Sequence, residues 1–167
     1  MPSNSPARPF SDAYLVAYSE EHVVYEFDMF LWLAQVCGSG AKLGAPSATD
    51  AARLSNVLIE SFVVHLRNVV DFLYLDRPKA TDVVAADFFD PGAWERLRPP
   101  ISGSLKTARV RANKEMAHLT TNRITGSPPE KAWDFSSLAT EIRPLMRLVA
   151  RNALAARLSP RVSAVIR

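Results

Sequence analysis

The sequence predicts an all-α fold, an up-and-down bundle of four long helices with short extra helical turns between helices 2 and 3. Apolar side chains recur in four long segments at the three- and four-residue spacing of amphipathic helices. Only 6 of the 167 residues are glycine, which disfavours a turn-rich β fold. The chain is 48% hydrophobic and 22% charged, which is typical of a folded domain and excludes a disordered one. We expect one domain with a substantial core.

The first predicted helix covers residues 12–37 and ends at Gly38, because glycine is a common helix stop. It contains Cys37, which has no disulfide partner in the chain and follows an apolar run, so a buried, inert thiol in a reducing cytoplasm is expected. Its aromatic side chains are expected to fill the core or a dimer seam rather than to stack on bases. These residues are Tyr14, Tyr18, Tyr25, Phe27, Phe30 and Trp32.

The second predicted helix covers residues 49–74 and is broken by the sequence around Pro78. Apolar residues nearly encircle it, which predicts the most buried helix of the bundle. Short helical turns are predicted at residues 82–88 and 93–97, in a segment that covers the bundle.

The third predicted helix covers residues 104–119, and the fourth begins at an Asp134 cap and extends to about residue 158. Pro144 is expected either to kink this helix or to mark an irregular first half. The predicted domain organisation is a flexible N-terminus (1–11), one helical bundle (12–158) and a C-terminal tail (159–167). No secretory leader and no membrane-spanning stretch are expected, because long apolar runs are missing.

Charge is divided unevenly along the chain. Residues 1–99 contain 8 basic and 13 acidic side chains, a net charge of −5, whereas residues 100–167 contain 12 basic and 4 acidic ones, a net charge of +8. A basic C-terminal part can attract a polyanion such as RNA, but the same arginines also suit the solvated sides of helices.

Arg111 and His118 are the most informative pair in the chain. They lie seven residues apart in the third predicted helix, almost two turns, so both side chains leave the same face. A site that binds and cleaves a phosphodiester needs at least a permanent cation and a group that exchanges protons near neutral pH, and an arginine beside a histidine supplies both. Glu115 shares this sector, and Asn113 and Lys114 lie near its edges.

The second predicted helix offers a matching polar stripe formed by Glu60, Arg67 and Asp71, with Asn68 near its edge. Charges on a mostly buried helix must be paired or functional, and both interpretations stay open. In one, the two polar faces form a site. In the other, Glu60, Arg67, Asp71 and Arg111 form a salt-bridge network that fixes helix register.

The segment from Arg111 to His118 resembles the HEPN superfamily, α-helical bundles often marked by an Arg followed after four to six residues by a His. Six residues intervene here, and Ala112 follows the Arg where many members have a polar residue. Residues 113–120 and the helix at residues 60–73 also look like bacterial HEPN-like proteins. The resemblance covers roughly residues 50–155.

This resemblance implies metal-independent cleavage of RNA, with no cofactor, at a site assembled across a homodimer. His118 would act as general acid or base, and Arg111 would stabilise charge on the phosphoryl oxygens. Asn113 and Lys114 would position phosphates. A row of arginines in the fourth predicted helix would follow the RNA backbone: Arg143, Arg147 and Arg151.

The same residues also fit two other functions, a di-iron site and a non-catalytic bundle. Glu115 and His118 also form the Glu-x-x-His half of a di-iron site, but such a site needs two of these motifs and the sequence contains one. The alternative function is a non-catalytic interaction or regulatory bundle. His118 would then be a buried imidazole that hydrogen-bonds Glu115 or Asp71.

Overall fold

The computed structural model describes residues 10–40, 44–117 and 132–166, and its regular elements in these ranges are all helical. The predicted all-α class is therefore confirmed for the described residues. The helices are α1 (Asp12–Tyr18), α2 (Val24–Gly38), α3 (Ala48–Tyr74), α4 (Ala93–Leu97), α5 (Gly103–Ala117), α6 (Phe135–Asn152) and α7 (Arg161–Val165). A π-helical turn (Ser19–Val23) joins α1 to α2, and a 3₁₀ turn (Ala85–Phe88) precedes α4.

The first predicted helix consists of α1, the π turn and α2. Ser11 caps it, because its hydroxyl accepts the Tyr14 N–H at 3.2 Å. The buried Ser19 hydroxyl donates to the Val16 carbonyl at 2.9 Å and accepts the N–H of Ser159 at 2.9 Å. The spacing of the apolar residues predicted an uninterrupted α-helix, but the structure contains a π turn in this segment. The turn lies where Ser159, 140 residues later in the sequence, contacts Ser19.

Helix α3 is buried only along its second half, from Phe62 to Tyr74. Residues 51–57 are all exposed, so the prediction that this helix is the most buried one is wrong for its first half. Helices α2 and α5 pack against α3, and the fully buried side chains of α3 lie from Phe62 onward. At the other end, Ser47 caps α3 by accepting the N–H of Asp50 at 3.1 Å.

The core lies where α2, α3 and α6 meet. Phe30 of α2 and Phe62 of α3 are fully buried, and their ring centroids are 5.6 Å apart. Phe135, at the start of α6, meets Phe62 edge-on at 4.8 Å. Phe27 is also buried, as predicted, but three aromatic residues of the same helical segment are half exposed: Tyr14, Tyr25 and Trp32.

The segment between α3 and α5 covers one end of this core. Trp94 of α4 is 2% exposed, and its indole N–H donates to the Leu73 carbonyl at 2.9 Å, so the buried donor is satisfied. Phe88 packs against Phe72 with centroids 5.9 Å apart. The predicted turn at residues 93–97 coincides with α4, and the other one is the 3₁₀ turn at Ala85–Phe88.

The C-terminal region differs from its prediction. Helix α6 continues through Pro144 and ends at Asn152, six residues before the predicted end. Residues 159–167, predicted as a tail, contain α7, whose Val162 is fully buried. Arg157 connects this region to α1 and to the segment before α4. Its guanidinium donates to the Asp12 carboxylate at 2.8 Å and to the Phe89 carbonyl at 3.0 Å.

Asp134 caps α6, as predicted, by accepting the Ser137 N–H at 3.0 Å. Hydrogen bonds from the Ser137 backbone and side chain hold the pKa of this carboxyl below its usual range. A lowered folded pKa stabilises the fold above the unfolded pKa, about 3.9, and the contribution is lost as pH falls through the folded pKa. We expect Asp134→Asn, which keeps an N-cap acceptor but does not titrate, to be less stable than wild type at pH 7.

The difference in melting temperature between wild type and Asp134→Asn should be constant near neutrality and shrink as the solution is acidified below about pH 4. Thermal melts followed by circular dichroism between pH 2 and 7 measure it. A difference that grows at acid pH contradicts the assignment of this cap.

Candidate functional site

An ion-pair cluster joins α3 to α5. Arg109 of α5 donates to Asp71 of α3 with an Nε–Oδ1 distance of 2.6 Å, and Arg67 Nε lies 3.7 Å from the second Asp71 oxygen. An inter-helical ion pair on Asp71 was one of the two interpretations of the sequence, but the residue that provides it from α5 is Arg109. The exposed Glu60 makes no ion pair with other residues that the structure describes.

Arg111 lies on the other side of the buried stripe of α5, which is formed by Leu105, Ala108 and Ala112. Its guanidinium carbon is 4.0 Å from the centroid of the Trp133 ring, and its Nη1 donates to the Ala132 carbonyl at 3.1 Å. Arg111 is therefore held against the segment that leads into α6, in a stacked cation–π geometry.

The other predicted binding residues are placed only in part. Asn113 and Lys114 are exposed on the last turns of α5, and Asn68 is exposed on α3. His118 and the side chain of Glu115 lie outside the described residues, so the pairing of Arg111 with His118 stays a prediction. The same holds for a hydrogen bond from His118 to Glu115 or Asp71.

A second polar cluster, which the sequence analysis missed, joins α2 to α3. His65 is 6% exposed, and its Nδ1 lies 2.7 Å from Glu26 Oε2. Asn68 Nδ2 donates to the other Glu26 oxygen at 3.1 Å. The carboxylate thus fixes the orientation of the imidazole and uses both of its oxygens.

A signal for this second cluster was present in the helical spacing. Glu26 comes three residues after the buried Val23 and four before Phe30, and His65 comes three after Phe62 and four before Val69. Each polar residue therefore lies on the buried side of its helix, where an ionisable group needs a partner. A search for polar residues in phase with the apolar stripe would have found both.

A cleft of about 630 Å³ lies between α5 and the end of α3. Arg98 sits over the Tyr74 ring at 4.9 Å and donates to the Asp76 carboxylate at 3.0 Å. Burial raises the pKa of Tyr74, an effect that the nearby Arg98 cation opposes. Lys106 and Arg109 of α5 also line the cleft, so its walls carry three cations and the carboxylates of Asp76 and Glu95.

A second groove, of about 670 Å³, lies between the end of α2 and the exposed half of α3. Small and apolar side chains line most of it, among them Ala51, Leu58 and Phe135. Cys37 also lines it and is half buried rather than fully buried as predicted, because it lies at the end of α2 beside this groove. Burial raises the pKa of its thiol, which favours the protonated, weakly nucleophilic form.

Within residues 10–40, 44–117 and 132–166, no three or more His, Cys, Asp or Glu side chains are grouped so that they could hold a metal ion. The di-iron half-motif of Glu115 and His118 lies outside the side chains that the structure describes. Among the described helices, none has the length and apolarity needed to cross a membrane.

Comparison of the chain with family models, with curated proteins and with solved structures gave no match. The candidate site is therefore interpreted from its own residues and geometry.

Proposed function

We propose that the protein is a HEPN-like, up-and-down four-helix bundle that binds RNA and cleaves it by metal-independent acid/base chemistry in the cytoplasm. The proposal keeps the homodimer that the sequence resemblance implies, with the α5 helices of two copies contributing to one site. Its support is the Arg111–His118 motif of the sequence together with the basic character of α5.

The observation that carries the RNA proposal is a set of four cations on α5, with two lysines on its exposed side and one arginine on each side of its buried stripe. Lys106 and Lys114 are exposed, about 12 Å apart along the helix axis. Arg109 and Arg111 are half-buried between them, oriented by Asp71 and Trp133 respectively. Side chains with fixed guanidinium orientation suit the bidentate recognition of phosphate oxygens, and exposed lysines supply point charges.

In the proposed reaction, Arg111 stabilises the negative charge that develops on the phosphoryl oxygens. His118 removes the proton from the ribose 2′-hydroxyl, or protonates the leaving oxygen. Its counterpart in the second copy is available for the complementary step. Asn113 and Lys114 position the phosphates on either side of the bond that breaks.

RNA binding is measured with a fluorescein-labelled, mixed-sequence 20-mer by fluorescence anisotropy across a salt series. We expect binding that weakens with salt, and Lys114→Gln should lower the slope of log affinity against log salt by about 0.7, the value for one phosphate contact on a single strand. The matched control, Arg77→Gln, removes the same charge from an exposed position after α3 and should leave the slope unchanged. The same RNA, incubated with wild type in EDTA, should be cleaved.

Equal slopes for Lys114→Gln and wild type overturn the assignment of α5 as the RNA-binding helix. Cleavage that survives in His118→Ala, with binding intact, overturns the catalytic pair while leaving RNA binding in place. The two parts of the proposal can therefore fail separately.

A non-catalytic interaction bundle is the second candidate, and one set of contacts favours it. Asp71 is paired with both Arg67 and Arg109, and Arg111 is stacked on Trp133, so these charged groups have structural roles in the described part of the chain. The RNA experiment separates the candidates, because this second function predicts neither salt-dependent binding nor cleavage.

A further inference from the structure

One side of the helical segment formed by α1, the π turn and α2 combines exposed aromatic rings with carboxylates. Tyr25 is 52% exposed and Trp32 is 47% exposed. Glu21, Tyr25, Asp28 and Trp32 follow one another at spacings of four, three and four residues, so they lie on one side of the helix. These four residues are called the acidic aromatic face below.

The charge of this face is not balanced by cations from its own segment. From Phe10 to Gly40 the chain has five acidic residues and no lysine or arginine. Three of the five are engaged elsewhere: Asp12 with Arg157 at 2.8 Å, Glu20 with Arg161 at 3.5 Å and Glu26 with His65 at 2.7 Å. Glu21 and Asp28 are exposed and form no ion pair with any other described residue.

The second polar cluster holds one ring of the face in place. The Tyr25 and His65 rings meet at 5.4 Å with an interplanar angle of 72°, and Glu26 in turn fixes the imidazole. A ring whose orientation is fixed before binding loses less conformational entropy when a ligand arrives. The exposed Tyr25 is therefore suited to making a contact.

We propose that the acidic aromatic face binds a lysine- and arginine-rich polypeptide segment of a partner protein. The carboxylates attract ammonium and guanidinium groups, and tyrosine and tryptophan rings bind the same cations through their faces. The opposite sign of charge also excludes RNA here, so this inference does not depend on the function proposed for α5.

The length of the face favours a polypeptide over a single small cation. From Glu21 to Trp32 the helix rises about 17 Å, which is the span of about five residues of extended chain. A free amine or one metal ion could contact only one carboxylate or ring at a time. A basic segment can place successive cations against Glu21, Tyr25, Asp28 and Trp32.

The test uses the full chain and fluorescein-labelled octalysine, with octaglutamate as the reference peptide, in anisotropy titrations at low salt. We expect octalysine to bind and octaglutamate not to. Trp32→Leu, which keeps an apolar side chain but removes the ring, should weaken octalysine binding about two- to fivefold, and Trp32→Phe should weaken it less. Glu21→Gln should weaken binding as well, whereas Glu95→Gln, the same change on α4, should not.

Because the three altered positions are exposed or half-exposed, circular dichroism melts should show unchanged folding in all four variants. The proposal is overturned if octalysine affinity is the same in wild type and Trp32→Leu, or if Glu21→Gln and Glu95→Gln have equal effects. It is also overturned if sedimentation shows that a second copy of this chain occupies the face, through self-association that Trp32→Leu abolishes.

Discussion

Replacing Phe62 with alanine should lower the free energy of unfolding by about 3–5 kcal/mol, the range for truncating a buried phenylalanine. Phe62 is fully buried and its ring contacts Phe30 of α2, Phe135 of α6 and Trp133 just before α6. Alanine would leave a cavity at the point where three segments meet. Urea unfolding followed by circular dichroism measures the loss.

Val57→Ala is the matched control, because Val57 lies on the same helix but is 59% exposed, and it should change stability by less than about 0.5 kcal/mol. Since a loss of 3–5 kcal/mol is a large part of the stability of a typical domain, Phe62→Ala could also fail to fold. Phe62→Leu keeps most of the volume and should fold with a smaller loss. A Phe62→Leu protein as stable as wild type would contradict the central position of this ring.

The second large effect is expected at Glu26. Glu26→Ala should cost about 1.5–3 kcal/mol, because the buried His65 and its neighbour Asn68 then lose a charged hydrogen-bond partner. Thermal and urea unfolding at pH 7 measure the change. The control is Glu21→Ala, about one and a half turns earlier on the same helical segment. The Glu21 carboxylate is exposed and has no ion pair with a described residue, so the free energy of unfolding should change little.

A double variant identifies the cause of the loss at Glu26. Glu26→Leu with His65→Leu removes both partners, so no buried polar group is left unpaired, and it should be more stable than Glu26→Ala. A double variant that is less stable than the single one would mean that the unpaired imidazole is not the cause of the loss, and that His65 stabilises the fold through its other contacts, such as that with the Tyr25 ring.

The helices could be predicted from the sequence because their signals are local. The Asp134 cap of α6 is visible within four residues of sequence, and this cap is present. The π turn and α7 could not be predicted in this way. The two elements meet at the contact between Ser19 and Ser159, which no window of neighbouring residues contains.

The candidate site was predicted less completely, for two physical reasons. The motif search favoured Arg111 because of its distance from His118, and so passed over Arg109, which lies on the opposite side of the buried stripe and reaches Asp71. Spacing within one helix says which residues share a face, but not which neighbouring helix that face meets. The pairing of Glu26 with His65 was missed for the same reason.

The contact between Ser19 and Ser159 also sets an order of events during protein synthesis. The pairing of α2 with α3, and of α3 with α5, can begin while the rest of the chain is still being made. The buried side of Ser19 stays uncovered until Arg157, Ser159 and Val162 have left the ribosome. Until then the nascent chain exposes the apolar surface at the π turn that α7 covers in the complete fold.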